Sequence, residues 1–184
     1  MTCIVAIAQN GTVYMGSDHA ASDDKSGWII PRKEPKCFKA GQYGIAFTDS
    51  FRMGQILQYN WTPPKYTPTK TNSGLDKFMR TKFIDSVKQA FKDNGFGTIG
   101  GSDEDTGGIF IVGVEGRVFT IDEDFHVGES VHNFMAEGSG GQLALGALWA
   151  TRNQKNPKMR IKAALEAAAE FNMAVAPPFT YIQI

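Results

Sequence analysis

Apolar and polar residues change period several times along this chain, and each change marks an element. Thr2 to Ala8 is a short, β-branched, apolar run; Asn10-Gly11 follows as a two-residue turn signal, and Thr12-Val13-Tyr14-Met15-Gly16 resumes the apolar pattern. That arrangement predicts a β-hairpin. A polar stretch, Ser22 to Glu34, separates it from Lys36-Cys37-Phe38-Lys39 and Gly44-Ile45-Ala46-Phe47-Thr48, which read as a second strand pair.

After Asp49 the period lengthens. Phe51-Arg52-Met53-Gly54-Gln55-Ile56-Leu57 starts a helix that Trp61-Thr62-Pro63-Pro64 halts, because proline lacks the N–H and the backbone freedom a helix needs. Ser73, three residues before Asp76, resembles a capping box. Beyond it Leu75, Phe78, Met79, Phe83, Val87, Ala90 and Phe91 share one helical stripe, the pattern of a helix laid on a core. A glycine-rich connection, GFGTIGGSDEDTGG, leads to GIFIVGV and RVFTID, joined through Glu115-Gly116 as another hairpin. Two further helices, from about Ser139 and about Lys158, carry Leu143, Ala147 and Leu148, then Ile161, Ala164, Leu165 and Ala168; Phe179 to Ile184 closes as a strand. Strands, two helices, strands, two helices and a strand is the order expected when helical layers cover two antiparallel sheets. No repeat or linker divides residues 1–184, so one domain is expected.

Composition narrows the function classes. Of 184 residues, 42% are hydrophobic, ample for a core, and 19 Lys plus Arg balance 19 Asp plus Glu. No net field draws the chain to nucleic acid or an anionic membrane. Two cysteines, Cys3 and Cys37, form neither a C-x-x-C motif nor a zinc-spaced cluster and read as buried reduced thiols. The opening lacks a basic region ahead of its apolar run, and no run approaches the ~20 residues that span a bilayer. A cytosolic location is expected.

The usual catalytic signatures fail one by one. His19, His126 and His132 lie apart, with no Ser or Cys motif to pair them. EGSGG around Ser139 has Glu137 where a nucleophile elbow needs glycine. Asp103 and Asp105 lack the third ligand and the closing Glu of a calcium loop. What remains is Met1-Thr2. Initiator methionine is generally removed ahead of a small residue, and removal here leaves a threonine carrying both a hydroxyl and a free α-amine. An amine with a pKa near ~8 can take the proton from its own hydroxyl, so nucleophile and base share one residue. A nearby lysine, steadied by a carboxylate, would hold that amine neutral and stabilise the alkoxide. Asp18, ending the second strand, and Lys36, opening the next, suit those parts.

These residues carry a resemblance. MTCIVAIAQNGTVYMGSD resembles the opening of proteasome β-type subunits and of the HslV-type bacterial peptidase, with Thr, a strand, a hairpin, then Asp in a G-x-D context. PKCF is similar to the family's lysine strand, EGSGGQLALGALWA to its Gly-Ser-Gly segment opening a helix, and AALEAAAEFNMAV to its penultimate helix. The resemblance implies the four-layer αββα sandwich of N-terminal-nucleophile (Ntn) hydrolases. It implies Thr2 as nucleophile and base, Asp18 orienting Lys36, Lys36 tuning the pKa values, and Ser139 bonding near the amine. It places an oxyanion donor at a backbone N–H near Asp49 or Ser50, and a second acidic residue at Glu170. Asn172-Met173-Ala174-Val175 stand where the family usually has Ser or Gly, and WTPPKYTPTKTNSG (61–74) is longer than expected, placed to reshape a ring contact or lid. Cys3 would replace Thr2 only if Thr2 were also removed, and strand alternation turns it to the opposite face. The function implied is a threonine peptidase or amidase that needs no metal or organic cofactor, acts on peptide or protein, and assembles as a homo-oligomeric ring, with an ATPase unfoldase as the partner that relatives imply. A non-catalytic ring or scaffold subunit that retains Met1 is the alternative.

Overall fold

The structure, a computed structural model, describes residues 2–23, 25–68, 73–96 and 108–184. In chain order its strands are β1 (Ile4–Gln9), β2 (Thr12–Asp18), β3 (Ala20–Asp23), β4 (Trp28–Pro31), β5 (Cys37–Ala40), β6 (Tyr43–Phe47), β7 (Phe110–Val114), β8 (Arg117–Ile121), β9 (Val127–Glu129), β10 (Phe134–Glu137) and β11 (Phe179–Gln183). Its helices are α1 (Phe51–Gln55), α2 (Ser73–Phe78), α3 (Ile84–Asp93), α4 (Gly141–Ala150) and α5 (Pro157–Phe171). Wider π-helical turns, Ile56–Asn60 and Met79–Phe83, continue α1 and join α2 to α3.

Two antiparallel sheets form the body. One has the order β10-β1-β2-β11, the other runs β5-β6-β7-β8-β9, and β3 with β4 makes a separate hairpin. Three apolar layers result. Cys3, Val5 and Ile7 face α4 and α5, while the alternate residues Ile4 and Ala6 join Val13, Met15, Cys37, Ala46, Ile111 and Val118 between the sheets. The far face of the five-stranded sheet buries Tyr43, Ile45, Phe110 and Phe119 against the α1–α3 side. The stripe behaves as its spacing predicts: Leu75, Met79, Phe83, Val87, Ala90 and Phe91 are all buried there. This is the four-layer αββα sandwich.

Close sheet packing depends on two glycines. Gly44 and Gly113 are register partners on β6 and β7. A Cβ at Gly44 would lie 2.5 Å from Met15 Sδ, and one at Gly113 would lie 2.7 Å from Val13 Cγ1. The bare backbone of one sheet receives the side chains of the other.

Four features depart from the pattern-based reading. The polar stretch 22–34 contains β4 and part of β3, whose register is Ala20↔Pro31 to Asp23↔Trp28; β4 is exposed throughout, so no apolar period marks it. The short strands β9 and β10 were not expected. Leu143, placed on an apolar stripe, is 37% exposed, and Ala144 and Leu148 supply the buried face of α4. The proline-rich segment, through residue 68, is fixed to the body: Trp61 Nε1 donates to Ser86 Oγ (2.8 Å), Tyr43 Oη to the Pro64 carbonyl (2.6 Å), and the Tyr66 N–H to Gln42 Oε1 (3.3 Å). Residues 69–72, the Ser73 side chain, and the 97–107 stretch with Asp103 and Asp105 lie outside the described residues. No helix among the described residues is long and apolar enough to cross a membrane.

Candidate active site

The chain around Thr2 is held from both sides. Asp18 Oδ1 accepts the Cys3 N–H at 3.0 Å, and the Asp18 N–H donates to the Cys3 carbonyl at 3.1 Å. Opposite, the Gly140 N–H donates to the Thr2 carbonyl at 3.1 Å, and Ser139 Oγ accepts the Thr2 N–H at 3.2 Å. Thr2 is 2% exposed. Strand alternation puts it on the inter-sheet side, away from Cys3, which packs toward α4 and α5.

The turn that reaches Thr2 needs its glycines. Gly138 has φ +90°, and a Cβ there would stand 2.3 Å from the Thr2 carbonyl oxygen. At Gly140 a Cβ would fall about 3 Å from Cys3 Cβ, and closer still to Ala168 and Val175. No other residue permits so close a backbone approach. Gly-Ser-Gly therefore lays its serine against the Thr2 amide.

Asp18 and Lys36 form a buried pair, Lys36 Nζ donating to Asp18 Oδ1 at 2.9 Å with side chains 0% and 1% exposed. Asp18 Oδ2 accepts the Ala20 N–H at 2.9 Å. Hence the lysine ammonium and the Cys3 N–H meet on one carboxylate oxygen, which brings Lys36 beside the Thr2–Cys3 peptide. Burial pushes the Lys36 pKa below its ordinary value, and the Asp18 charge partly opposes that shift. The Phe51 ring lies 5.8 Å from Nζ.

Thr48, Asp49 and Ser50 border the same region. The Thr48 N–H donates to the Ile109 carbonyl (2.9 Å), and the Ser50 N–H turns back onto the Thr48 carbonyl (2.8 Å). Ser50 Oγ caps α1 by accepting the Met53 N–H at 3.2 Å. Asp49 adopts φ +66°, and its N–H meets no acceptor among the described residues. Ser50 is thus a cap whose amide is engaged, whereas the Asp49 N–H is not. Glu137 precedes the glycine turn; burial raises its pKa first, and the charges of Asp122 and Asp49 add to that.

Among the described residues, no bond to the site is made by Glu170. Glu170 is exposed in the last turn of α5. Asn172, two residues on, reaches the site: its Nδ2 donates to the Ser139 carbonyl (2.8 Å), and its Oδ1 accepts the Ala174 N–H (2.9 Å). Asparagine just past a helix reads as an ordinary stop signal, which hid this role. Burial raises the Cys3 pKa to about 12, with Asp18 adding to the rise, so a Cys3 thiolate nucleophile is disfavoured. Among the described residues no group of His, Cys, Asp and Glu has the arrangement to hold a metal.

No protein-family model and no curated protein matches the sequence. Solved structures match it in shape. Thiobacillus denitrificans BPH, in complex with epoxomicin, aligns over 100% of this chain and 98% of its own with a TM-score of 0.79 at 17% identity. Eukaryotic HslV from Trypanosoma brucei covers 99% and 98%, with a TM-score of 0.69 at 14% identity. The fold is that of HslV- and proteasome-type Ntn hydrolases. A Gly-1 mutant of Anbu from Hyphomicrobium sp. strain MC1 shares it, with a TM-score of 0.66 at 16% identity over 100% of this chain and 82% of that one. Fold alone does not assign chemistry, so the functional reading rests on the cluster around Thr2.

Proposed function

We propose that this protein is a threonine-type peptidase or amidase whose nucleophile is Thr2 Oγ, made competent when the Met1–Thr2 peptide bond is cut. Support comes above all from the buried Asp18 oxygen that holds both Lys36 and the Cys3 N–H. A buried ion pair of this kind is weak support for stability, and its place against the Thr2–Cys3 peptide favours a chemical role.

In this reading the α-amine of Thr2 takes the hydroxyl proton as Oγ bonds to the substrate carbonyl carbon. The oxyanion is met by the Asp49 N–H. The C–N bond then breaks, the ammonium returns its proton to the leaving amine, and an ester on Thr2 remains. Water attacks that ester and gives a proton to the α-amine; the bond from the acyl carbon to Oγ then breaks, the ammonium returns the proton to Oγ, and a carboxylic acid leaves. Lys36 keeps the amine neutral by charge repulsion and stabilises the oxygen as it loses its proton. Ser139 holds the amine, and no metal or organic cofactor enters.

Intact-mass measurement tests this. Loss of Met1 and a single adduct with a threonine-directed electrophile, absent from Thr2→Ala, are expected; epoxomicin is the first choice because the similar BPH structure holds it. A full-length mass with no adduct would sink the proposal in favour of a scaffold subunit retaining Met1. The same reading takes the working form to be a homo-oligomeric ring, which light scattering would report as a mass several times the 20.1 kDa of one chain.

A further inference from the structure

Thr48 carries an unused hydroxyl beside the glycine turn that holds the candidate nucleophile. Its main chain is engaged at both ends, the N–H on Ile109 and the carbonyl under Ser50. Its Oγ1, on a residue only 1% exposed, has no hydrogen-bond partner among the described residues. A buried hydroxyl left without a partner is costly and rare enough to need a cause. Its position supplies one. Thr48 Oγ1 lies 3.1 Å from a Cβ built on Gly138, and that same point is 2.3 Å from the Thr2 carbonyl oxygen.

Cutting the bond to Met1 changes the donor count at Thr2. As a peptide nitrogen it has one hydrogen, which Ser139 Oγ accepts. As a free amine it has two, and as an ammonium three. Acceptors in the turn that bonds the Ser139 carbonyl are already engaged: Asn172 Oδ1 holds the Ala174 N–H, and the Asn172 carbonyl holds the Val175 N–H.

We propose that Thr48 is a positioning residue whose hydroxyl accepts a hydrogen bond from the α-amine of Thr2 once Met1 is gone. This rests on Thr2 being the processed terminus, as in the proposed function. The hydroxyl is idle before cleavage and engaged after it. It would fix the direction of the amine lone pair toward the Thr2 hydroxyl, and it would favour the protonated amine slightly.

The test compares two preparations, one released from a cleavable fusion so that Thr2 is the first residue, the other keeping Met1 and a preceding tag. In the released form Thr48→Val should lower the thermal midpoint by about 2–4 °C, the effect of one hydrogen bond in a chain of this size. In the extended form it should leave the midpoint unchanged or raise it, because the hydroxyl there has no partner to lose. Thr48→Ser should match the wild type in both. With a fluorogenic peptide amide, Thr48→Val in the released form should lower kcat about tenfold, and move the acidic limb of the profile to lower pH by about half a unit. Equal midpoint shifts in the two forms, or an unmoved acidic limb, would overturn the assignment. The melting comparison needs no turnover: a released wild type that takes no adduct sinks the peptidase reading, whereas equal shifts sink only the role of Thr48.

Discussion

Replacing Asp18 by asparagine tests the centre of the site, and the structure sets the size of the effect. The carboxylate is fully buried and meets three donors: the Cys3 N–H and Lys36 Nζ on Oδ1, and the Ala20 N–H on Oδ2. An asparagine has one oxygen. If it takes the Oδ1 place, its amide N–H₂ confronts the Ala20 N–H; reversed, it confronts both Cys3 and the ammonium. Either way a donor is orphaned and Lys36, 1% exposed, loses its counter-charge. Breaking such a pair costs about 3–5 kcal/mol, which lowers the thermal midpoint by on the order of 10 °C in a domain this long. Urea melts of Asp18→Asn, Lys36→Met and the double variant would measure the coupling, with Glu170→Gln as the exposed-carboxylate control. The double variant should cost clearly less than the two singles added, because the uncompensated charge is gone from it. Additive costs, or an Asp18→Asn loss no larger than that of Glu170→Gln, would refute the reasoning. Adduct formation at Thr2 should also slow in Asp18→Asn, since Lys36 is no longer oriented.

Gly138→Ala should destabilise by more than about 2 kcal/mol and abolish labelling of Thr2, because the new methyl meets the Thr2 carbonyl at 2.3 Å from a backbone at φ +90°; an alanine variant that melts and labels like the parent would count against the described turn. Cys3 and Cys37, whose thiols burial pushes up to about 12 and about 11, should resist iodoacetamide at pH 8 in the native protein and react fully in urea, as mass spectrometry would show. Asp76, held near pKa 2 by Arg117 and Arg80, should contribute stability above the ordinary carboxylate pKa of 3.8 and lose it as pH falls through about 2. Its side chain is 36% exposed, so the difference between wild type and Asp76→Asn should be about 1 kcal/mol or less at pH 7 and shrink below pH 4; a difference that grows in acid would contradict this.

The elements that were legible in the sequence are those with a local cause. Asn10-Gly11 and Glu115-Gly116 have φ of 52° and 74°, and 49° and 70°, the left-handed pairs that tight hairpins demand, and both hairpins were readable. The α2–α3 stripe was readable because burial repeats along it. The β3–β4 hairpin was not, because β4 is exposed throughout and leaves no alternation of buried and exposed positions to read. At the site, Thr2, Asp18, Lys36 and Ser139 could be picked out through residue types in a known order; hydrogen bonds pair Thr2 with Ser139 and Lys36 with Asp18, and the Cys3 N–H joins the second pair to the chain at Thr2. Asn172 is visible there only as a departure from the family's Ser or Gly, because its bond to the Ser139 carbonyl depends on where the fold sets it down. The resemblance puts the second acidic residue at Glu170, but α5 runs on to Phe171, and it is Asn172, beyond the helix, that bonds the Ser139 carbonyl.

The glycines Gly44 and Gly113 have a consequence well away from where they sit. Thr2 and Asp18 belong to one sheet, whereas Lys36 enters at the edge of the other. The gap across which lysine meets aspartate is therefore gauged by how deeply Met15 and Val13 seat against bare backbone. A methyl group added at either glycine would act as a shim, prising the sheets apart, and the injury would register in the reactivity of a threonine that neither glycine touches.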